Sequence, residues 1–488
     1  MENQSQPPVR PAAVLAVLSL AAFVASLDLF IVNVAFDDLG ADFGGSALTD
    51  LSWVLNGYAI VYAALLVPLG RLADRYGRKP GFLLGLAVFT LASLACAVAT
   101  DLWMLVVFRL LQAAGAAALT PTSLGLLLPV FAPERRAFAV RVWAASGALA
   151  AAIGPAVGGL LVELSWRWVF LVNLPVGVLA LVAAVRLVPD SRDAAPGGIP
   201  DLLGAAAAAT SIGALALGLT KGSEWGWSSA AVLACAVVAA TAAGVVVRRC
   251  VSHPSPLVEP ALVRVRAFAW ANVATVAFSV AFAANLLATV LWLQQVWDYS
   301  AARTGLAVAA GPAVVPLFAA AAGALLARRV PVGRVAAVGC LLFSAGMVLT
   351  LLRLDQDPDY AGRILPGLLV AGAGVGLAFP TLFGAATADL PPARMATGSA
   401  LITMSRQVGA VLGVSLLVAV LGQPGSYSAA ERAFTSGWWL CAAAALVGAA
   451  TALGMTPRTP AVAPHPASTA STSAASTSAG TTPAGTTR

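Results

Sequence analysis

The sequence predicts an all-α integral membrane protein with fourteen transmembrane helices. Of the 488 residues, 60% are hydrophobic and 10% are charged, whereas about 25% of the residues in an ordinary soluble domain are charged. Fourteen long apolar runs follow one another along the chain, and the basic residues concentrate in alternate loops between these runs. Together these three observations exclude a water-soluble enzyme.

Each apolar run is close in length to the ~20 residues with which an α-helix crosses the hydrocarbon core of a bilayer. Because a backbone amide inside lipid must bond within its own segment, each run is expected to be helical. The first run is longer than the roughly 7–15 apolar residues of a signal peptide and contains Asp28 and Asn33, so it is interpreted as a retained helix. The runs lie at approximately 11–36, 51–70, 81–100, 102–129, 137–162, 168–188, 201–220, 229–247, 267–293, 304–327, 333–352, 363–388, 395–421 and 433–455.

The loop charges predict the orientation, since cytoplasmic loops of membrane proteins carry an excess of Lys and Arg. With the N-terminus in the cytoplasm, 20 of the 28 basic residues lie in or next to cytoplasmic segments, six lie in or next to outer segments, and two, Arg109 and Arg406, lie deep within runs. One missed helix would reverse every later loop, so this split favours fourteen spans with both termini cytoplasmic. The arginine-rich and alanine-rich composition suggests a bacterial host, and hence the bacterial cell (inner) membrane.

The chain ends and the charge balance predict little beyond a membrane protein. Residues 1–10 are expected to form a cytoplasmic N-terminus. Residues 456–488, rich in Ser, Thr, Ala and Pro, cannot bury a core and are expected to form a disordered cytoplasmic tail. The net charge of +7 comes from scattered single residues, so no nucleic-acid partner is expected. The expected surroundings are the lipid bilayer, and the expected state is a monomer.

Sequence patterns for catalysis and metal binding are missing from the chain. The five cysteines form no CxxC pair, which predicts neither a disulfide framework nor a zinc site. No GxxxxGK[ST] motif is present, so ATP hydrolysis on this chain is not expected. A membrane enzyme or receptor is disfavoured because paired acids and nucleophile triads are missing too. No catalytic residue, metal or cofactor is therefore expected.

The strongest motif is the loop after the second run. Its glycines permit close helix approach and a turn, Asp74 can bond a neighbouring helix N-terminus, and the basic side chains suit anionic lipid or an acidic partner. The expected conformational residues here are Gly70, Asp74, Arg75, Gly77 and Arg78. The loop reads Gly70-Arg71-Leu72-Ala73-Asp74-Arg75-Tyr76-Gly77-Arg78-Lys79-Pro80.

This loop resembles the signature of the major facilitator superfamily. A weaker copy from Gly323 to Arg329 follows the tenth run, with Ala327 in place of the aspartate. The resemblance implies an internal duplication with two six-helix lobes, at 11–188 and 267–455. In a twelve-helix member the second copy would follow the eighth span, so the linker 189–266 is expected to carry two additional helices.

Three further segments resemble fourteen-helix drug/proton antiporters. They are Leu27 to Ala35, the Gly154-Pro155-Ala156-Val157-Gly158-Gly159 sequence of the fifth run, and Trp166 to Gly177. The resemblance implies a proton-coupled antiporter that exports hydrophobic small molecules, such as drugs, antibiotics or a natural product, by alternating access. In the fifth run the proline removes one backbone hydrogen bond and the glycines permit close helix crossing, which suits a flexible contact between lobes. A packing role without coupling is the alternative for these residues.

Asp28 and Arg109 are the expected proton-coupling pair. Asp28 is the one acid that lies deep within a run, and charge inside a membrane costs about 2.5–3.5 kcal/mol per residue. At 1.5 Å per residue both side chains fall in the outer half of the bilayer, close enough to touch if their helices adjoin. Arg109 to Gly115 also resembles a family motif linked to proton transfer. Asp28 is hypothesised to carry the proton and Arg109 to control its ionisation; a static ion pair is the alternative.

Polar or amphipathic side chains inside the runs are candidates for a substrate cavity, although each singly is more often a packing residue. Arg406 either contacts substrate or packs against helices. Because Asp28 is the only deep carboxylate, neutral or monocationic amphiphiles and a low proton stoichiometry are expected. An importer or facilitator of a small metabolite is the alternative function. The candidates are Asn33, Trp53, Asn56, Tyr62, Asn285, Trp292, Gln294, Gln295 and Arg406.

Overall fold

The computed structural model describes residues 10–192, 198–355, 357–391, 394–422 and 427–455, without the side chains of residues 137 and 427. Residues 1–9 and the expected tail, 456–488, lie outside the described residues. Fourteen helices in the described ranges are long and apolar enough to cross a membrane. They are α1 (Pro11–Asp42), α2 (Leu48–Tyr76), α3 (Arg78–Ala97), α4 (Leu102–Val130), α5 (Pro133–Val162), α6 (Trp168–Leu187), α7 (Leu202–Trp225), α8 (Ala230–Ser252), α9 (Arg266–Val296), α10 (Ala301–Ala327), α11 (Val332–Leu351), α12 (Tyr360–Ala388), α13 (Met395–Leu421) and α14 (Ser428–Met455).

The fourteen predicted runs each correspond to one of these helices, so the predicted fold class is confirmed. Several helices extend past the apolar runs, and polar side chains cap some of the helix ends. The Asp101 carboxylate accepts a hydrogen bond from the Met104 backbone N–H over 2.9 Å at the start of α4. Such a cap satisfies one of the donors left free at a helix N-terminus. At a helix C-terminus, Gly77 ends α2 with a φ of 126°, which glycine adopts without strain.

Helix pairing repeats between the first six helices and the last six. In the first set, α1 packs against α5 and α6, α2 against α4, and α3 against α4 and α6. In the second set, α9 packs against α13 and α14, α10 against α12, and α11 against α12 and α14. The five pairings correspond one to one, as an internal duplication would produce. We use "first set" for α1–α6 and "second set" for α9–α14 below.

One close crossing between glycine-containing helices repeats as well. A methyl group on Gly115 of α4 would lie 2.8 Å from the Gly85 carbonyl oxygen of α3, and one on Gly374 of α12 would lie 2.5 Å from the Gly339 carbonyl oxygen of α11. Small residues let membrane helices approach closely, because packing rather than the hydrophobic effect drives their association in lipid. The same backbone contact therefore holds the corresponding pair of helices in each set.

Helices α7 and α8 lie outside both sets. Helix α7 packs against α2 and α13, and α8 packs mainly against α7. At one end of α7, Lys221 Nζ lies 2.8 Å from Asp50 Oδ1 near the start of α2. At the other end, Arg249 Nε of α8 lies 2.6 Å from the buried Asp201 carboxylate. These ion pairs join the two additional helices to the first set and to each other.

The two sets meet through the α5–α10 and α2–α13 contacts. Both contacts lie toward the end of the molecule where α1 leads into α2, which we call the α1–α2 end. There Gln294 Nε2 donates to the Val34 carbonyl oxygen over 2.9 Å, and the Ala302 backbone N–H donates to Glu163 Oε1 over 3.2 Å. The hydrogen bonds from Ser300 and Ala302 hold the pKa of the Glu163 carboxyl below its usual value.

Candidate functional site

A fully buried polar cluster lies inside the first set, around Asp28. Four helices supply it: Asp28 from α1, Ser93 from α3, Arg109 and Gln112 from α4, and Asn173 from α6. Each of these five side chains is 0% exposed. Arg109 and Gln112 lie three residues apart, which places both on one face of α4. The α1–α4, α3–α4 and α1–α6 contacts then bring the remaining members to that face.

Asp28 accepts a hydrogen bond from each of three neighbours. Arg109 Nη1 lies 2.5 Å from Asp28 Oδ2. Gln112 Nε2 donates to Asp28 Oδ1 over 2.7 Å, and Asn173 Nδ2 donates to the same oxygen over 2.8 Å. Gln112 also bonds Ser93 Oγ over 2.7 Å. Every one of these contacts to Asp28 comes from a donor, which matches a carboxylate in its charged form.

Arg109 makes further contacts through Nη1, Nε and the face of its guanidinium, while its Nη2 has no hydrogen-bond partner among the described residues. Its Nη1 also donates to Gln112 Oε1 over 2.6 Å, and its Nε donates to the Val54 carbonyl oxygen over 3.2 Å. The guanidinium carbon lies 4.2 Å from the centre of the Tyr58 ring, a geometry that stabilises a cation over an aromatic face. The cluster thus holds one carboxylate and one guanidinium in balance, and a proton that reaches Asp28 would break that balance.

The structure brings Asp28 and Arg109 together, as their depth in the sequence suggested. Sequence reasoning did not assign a role to Ser93, Gln112 or Asn173, although Gln112 and Asn173 lie in the segments that carried the family resemblance. Their polarity was a signal that sequence reasoning could have used, because a polar side chain within an apolar run needs a partner.

A second feature is a cavity between the two sets. Its walls come from α1 and α2 on one side and from α9 and α13 on the other. Ten of its fifteen lining residues are apolar, four are polar and neutral, and one, Arg406, is charged. The lining residues are Leu29, Phe30, Asn33, Leu55, Asn56, Ala59, Ser279, Phe282, Ala283, Leu286, Arg406, Gln407, Ala410, Val411 and Val414.

Three of the nine predicted cavity residues line this cavity: Asn33, Asn56 and Arg406. Asn56 Nδ2 also donates to Ser415 Oγ over 3.1 Å, which links α2 to α13 across the interface. Sequence reasoning did not assign Ser279 or Gln407 to a cavity. Asp28 is not among the lining residues, although its neighbours Leu29 and Phe30 are. The carboxylate therefore points into the first set while the next turn of α1 faces the cavity.

The other six predicted cavity residues lie elsewhere. Trp292 is 0% exposed and packs its ring against Phe434 and Trp438. Gln294 and Gln295 lie at the α1–α2 end, where Gln295 Nε2 donates to Asp37 Oδ1 over 3.0 Å. Their polarity marked them in the sequence, but the face each presents was not predictable from helices that are apolar on all sides. The remaining three pack within the helix bundle: Trp53, Tyr62, whose hydroxyl lies 2.9 Å from Thr120 Oγ1, and Asn285, which accepts from Thr289 Oγ1 over 3.3 Å.

The signature loop connects α2 to its neighbours at the α2–α3 end. Asp74 accepts from Arg78 Nε over 2.6 Å, so its partner is the side chain that opens α3. The Arg78 backbone N–H donates to the Ser191 carbonyl oxygen over 2.9 Å. Arg75 lies with its guanidinium carbon 5.8 Å from the Tyr76 ring centre. At Gly70, a methyl group would approach Pro121 of α4 to 3.1 Å.

Arg71 of the same loop reaches the segment before α9. Its Nη1 donates to the Pro256 carbonyl oxygen over 2.7 Å, and its Nη2 lies 3.2 Å from Glu259 Oε1. Arg394, just before α13, lies 3.5 Å from the other oxygen of the same carboxylate. Glu259 therefore joins the first set to the second at this end, which supplies the acidic partner expected for the loop.

The glycines of α5 face two different helices. Methyl groups on Gly154 and Gly158 would lie 2.9 Å from Phe30 Cβ and 2.6 Å from the Ile31 carbonyl oxygen of α1. A methyl group on Gly159 would overlap the Ala301 carbonyl of α10. Pro155 lies in the same crossing, because its carbonyl would meet a methyl group on Gly305. The segment thus contacts its own set on one side and the second set on the other.

Comparison with protein families and with curated relatives gives one consistent result. The family model described as Major Facilitator Superfamily matches residues 18–414. A multidrug resistance protein B homolog of Mycobacterium tuberculosis is 32% identical over 405 residues, 82% of this chain and 74% of the relative. A probable actinorhodin transporter of Streptomyces coelicolor is 33% identical over 425 residues, covering 84% and 72%. A cephamycin export protein of Amycolatopsis lactamdurans is 34% identical over 419 residues, covering 85% of each.

Solved structures share the fold at low sequence identity. A peptide transporter of the POT family superposes with a TM-score of 0.66 at 18% identity and covers 93% of this chain and 95% of its own. A bacterial homolog of the human lysosomal transporter Spinster gives 0.62 at 15% identity, covering 91% and 98%. At these identities the likeness concerns the fold alone.

Proposed function

Because this chain belongs to the major facilitator superfamily, and is therefore a multi-pass membrane transporter rather than an enzyme, we propose that it exports hydrophobic small molecules from the cytoplasm in exchange for protons. Its host membrane is the bacterial cell (inner) membrane, with both termini cytoplasmic. The single observation that carries the proposal is the buried Asp28–Arg109 pair, which lies next to the cavity but does not line it.

Proton coupling is supported by how Asp28 is held. The Asp28 carboxylate accepts hydrogen bonds from three donors, one guanidinium and two amides, and protonation would remove the charge that holds Arg109 and Asn173 in place. Leu29 and Phe30 follow Asp28 on α1 and line the cavity. A change in the bonding of Asp28 would therefore act directly on the cavity wall.

Alternating access is supported by where the two sets touch. The α5–α10 crossing, with Gly159 against Ala301, closes the α1–α2 end without intervening side chains. At the α2–α3 end the connection passes through Glu259 of the linker. We propose that the two sets are lobes that rock about the cavity, and that Gly154, Pro155, Gly158 and Gly159 form the moving contact.

The relatives support the direction of transport. Their names describe multidrug resistance, a probable actinorhodin transporter and cephamycin export. Export of drug-like or antibiotic molecules accounts for all three names, whereas uptake of a metabolite accounts for none of them. The cavity agrees with this, because two thirds of its lining is apolar and such walls bind amphiphilic ligands through burial of apolar surface.

Everted membrane vesicles test the proposal. Respiration acidifies the vesicle lumen, and a pH-sensitive acridine dye reports the gradient. Three probes that share a pyrene-butyl body are added in turn: anionic 1-pyrenebutyrate, neutral 1-pyrenebutanol and cationic (1-pyrenebutyl)trimethylammonium. An antiporter releases lumenal protons as it takes up a probe, so at least one probe should restore dye fluorescence beyond the passive effect measured in vesicles without the protein.

Matched variants identify the coupling residue. Asp28→Asn should abolish the probe-dependent proton release because the amide cannot carry a proton. Asp190→Asn, which makes the same change at an exposed loop carboxylate, should leave the release unchanged. Proton release by Asp28→Asn at the wild-type rate would refute the role of Asp28, and failure of every probe to move protons in the wild-type vesicles would refute the antiporter.

A further inference from the structure

The charge of Arg406 is not balanced in the cavity between the two sets. Arg406 lies eleven residues into α13, deep in the bundle, and its remaining surface lines the cavity. No ion pair to Arg406 occurs among the described residues, and its Nε has no hydrogen-bond partner there. Among the described residues, Tyr62 is the titratable group found near Arg406, and a phenol is neutral near pH 7.

The neighbouring polar atoms do not supply a counter-charge. Ser279 Oγ, Asn56 Oδ1 and Gln407 Nε2 also line the cavity as buried atoms without a partner in the described part of the chain. A hydroxyl and an amide N–H can donate, so with Arg406 Nε three of these four atoms are available donors. Buried donors left unpaired are unfavourable, and a buried unpaired cation is more so. The site is therefore chemically complementary to a group that accepts hydrogen bonds and carries negative charge.

The apolar part of the cavity sets the other requirement. Phe30 and Phe282 face each other edge to face across the interface, with ring centres 6.4 Å apart, and both line the cavity. Leucine, valine and alanine side chains supply most of the remaining wall. A ligand that satisfies both parts of the cavity has an apolar or aromatic body and one acidic group.

We propose that Arg406 is the anchor for an anionic group of the substrate, and that the chain transports amphiphilic monoanions, such as aromatic or polyketide-like carboxylates and phenolates, in preference to cations. This rests on the proposed export function and specifies its substrate class. The sequence alone favoured neutral or monocationic molecules because Asp28 was the only deep carboxylate; in the structure Asp28 is bound within the first set, which leaves Arg406 as the only charged group of the cavity.

Binding to purified protein in detergent tests the proposal, using the three pyrene-butyl probes that differ only in their head group. Fluorescence titration gives a dissociation constant for each. The wild type should bind 1-pyrenebutyrate roughly tenfold more tightly than 1-pyrenebutanol, because its anionic head group gains hydrogen bonds to a charged side chain. The trimethylammonium probe should bind more weakly than either.

The variants separate charge from packing. Arg406→Gln should bring the affinity for 1-pyrenebutyrate down to that for 1-pyrenebutanol, with little change for 1-pyrenebutanol itself. Arg406→Lys should keep part of the preference, because it keeps the charge but loses the planar donor array. Arg334→Gln, at an exposed arginine of α11, should behave as the wild type. Equal affinity for all three probes, absence of binding, or a preference for the cation would overturn the proposal, as would a preference that survives in Arg406→Gln.

This assay and the vesicle assay can fail independently. Proton release with 1-pyrenebutanol, together with no charge preference in binding, would retain the antiporter and reject the anion site. A charge preference that depends on Arg406, without proton release by any probe, would retain the anion site and reject proton antiport.

Discussion

Two arginines inside the membrane, Arg109 and Arg406, occupy opposite chemical situations. Arg109 touches Asp28, Gln112 and a backbone carbonyl, and its side chain is 0% exposed. Arg406 faces the cavity, and no described carboxylate pairs with it. The first charge is balanced by a carboxylate of the protein, whereas the second has no carboxylate partner among the described residues. The sequence already placed Arg109 in the expected coupling pair and Arg406 among the cavity candidates, and the structure adds which of the two side chains touches a carboxylate.

Replacement of Arg109 should produce the largest effect. Arg109→Gln leaves the Asp28 carboxylate buried without its cation, and breaking a buried pair in this way costs about 3–5 kcal/mol. We expect a large fall in the thermal unfolding midpoint of the purified protein, measured by intrinsic fluorescence. A midpoint equal to that of the wild type would show that the Asp28–Arg109 ion pair does not stabilise the protein.

The next largest effect is expected at Asn173. Asn173→Leu keeps much of the side-chain volume but removes one of the three donors to Asp28, which costs about 1–3 kcal/mol. The midpoint should fall by less than in Arg109→Gln. In the double variant with Asp28→Asn, the loss at Asn173 should shrink, because there is no longer a charged acceptor to satisfy. Equal losses in the two backgrounds would mean that Asn173 stabilises the bundle independently of Asp28.

The sequence predicts the helices and one contact of the buried cluster, but not the orientation of every polar or aromatic side chain. The fourteen helices were predictable because lipid requires long apolar segments whose backbone amides bond internally, and the sequence displays them directly. The Asp28–Arg109 contact followed from charge scarcity and depth. The polarity of Ser93 and Asn173 indicated that each needs a partner. Which residue each contacts, and the orientation of Trp292 away from the cavity, were not predictable, because helices that are apolar on all sides carry no amphipathic pattern to indicate a face.

A smaller effect is expected for the contact between Asn56 and Ser415, which crosses the interface beside the cavity. A double-mutant cycle with Asn56→Ala and Ser415→Ala should give a coupling of about 0.5–1.5 kcal/mol, typical of one net hydrogen bond. Chemical denaturation of each variant supplies the four free energies of unfolding. A coupling near zero would mean that the α2–α13 contact depends on apolar packing alone.

The smallest effect on stability is expected at Arg406, and it contrasts with the large effect expected at Arg109. Because no carboxylate in the described part of the chain pairs with Arg406, Arg406→Gln should leave the unfolding midpoint unchanged or raise it. The same substitution at Arg109 should lower it markedly. The two variants are compared side by side in the same detergent and at the same pH. A loss at Arg406 as large as that at Arg109 would show that the protein itself balances the Arg406 charge.

Transport by Asp28→Asn in proteoliposomes tests whether proton coupling and substrate binding occupy separate sites. Two rates are measured for 1-pyrenebutyrate: exchange between equal concentrations on both sides, and accumulation driven by an imposed pH gradient. Asp28→Asn should retain exchange, because the cavity is intact. Its gradient-driven accumulation should fall to the level of vesicles without protein. Gradient-driven accumulation at the wild-type rate in Asp28→Asn would show that Asp28 does not couple transport to protons.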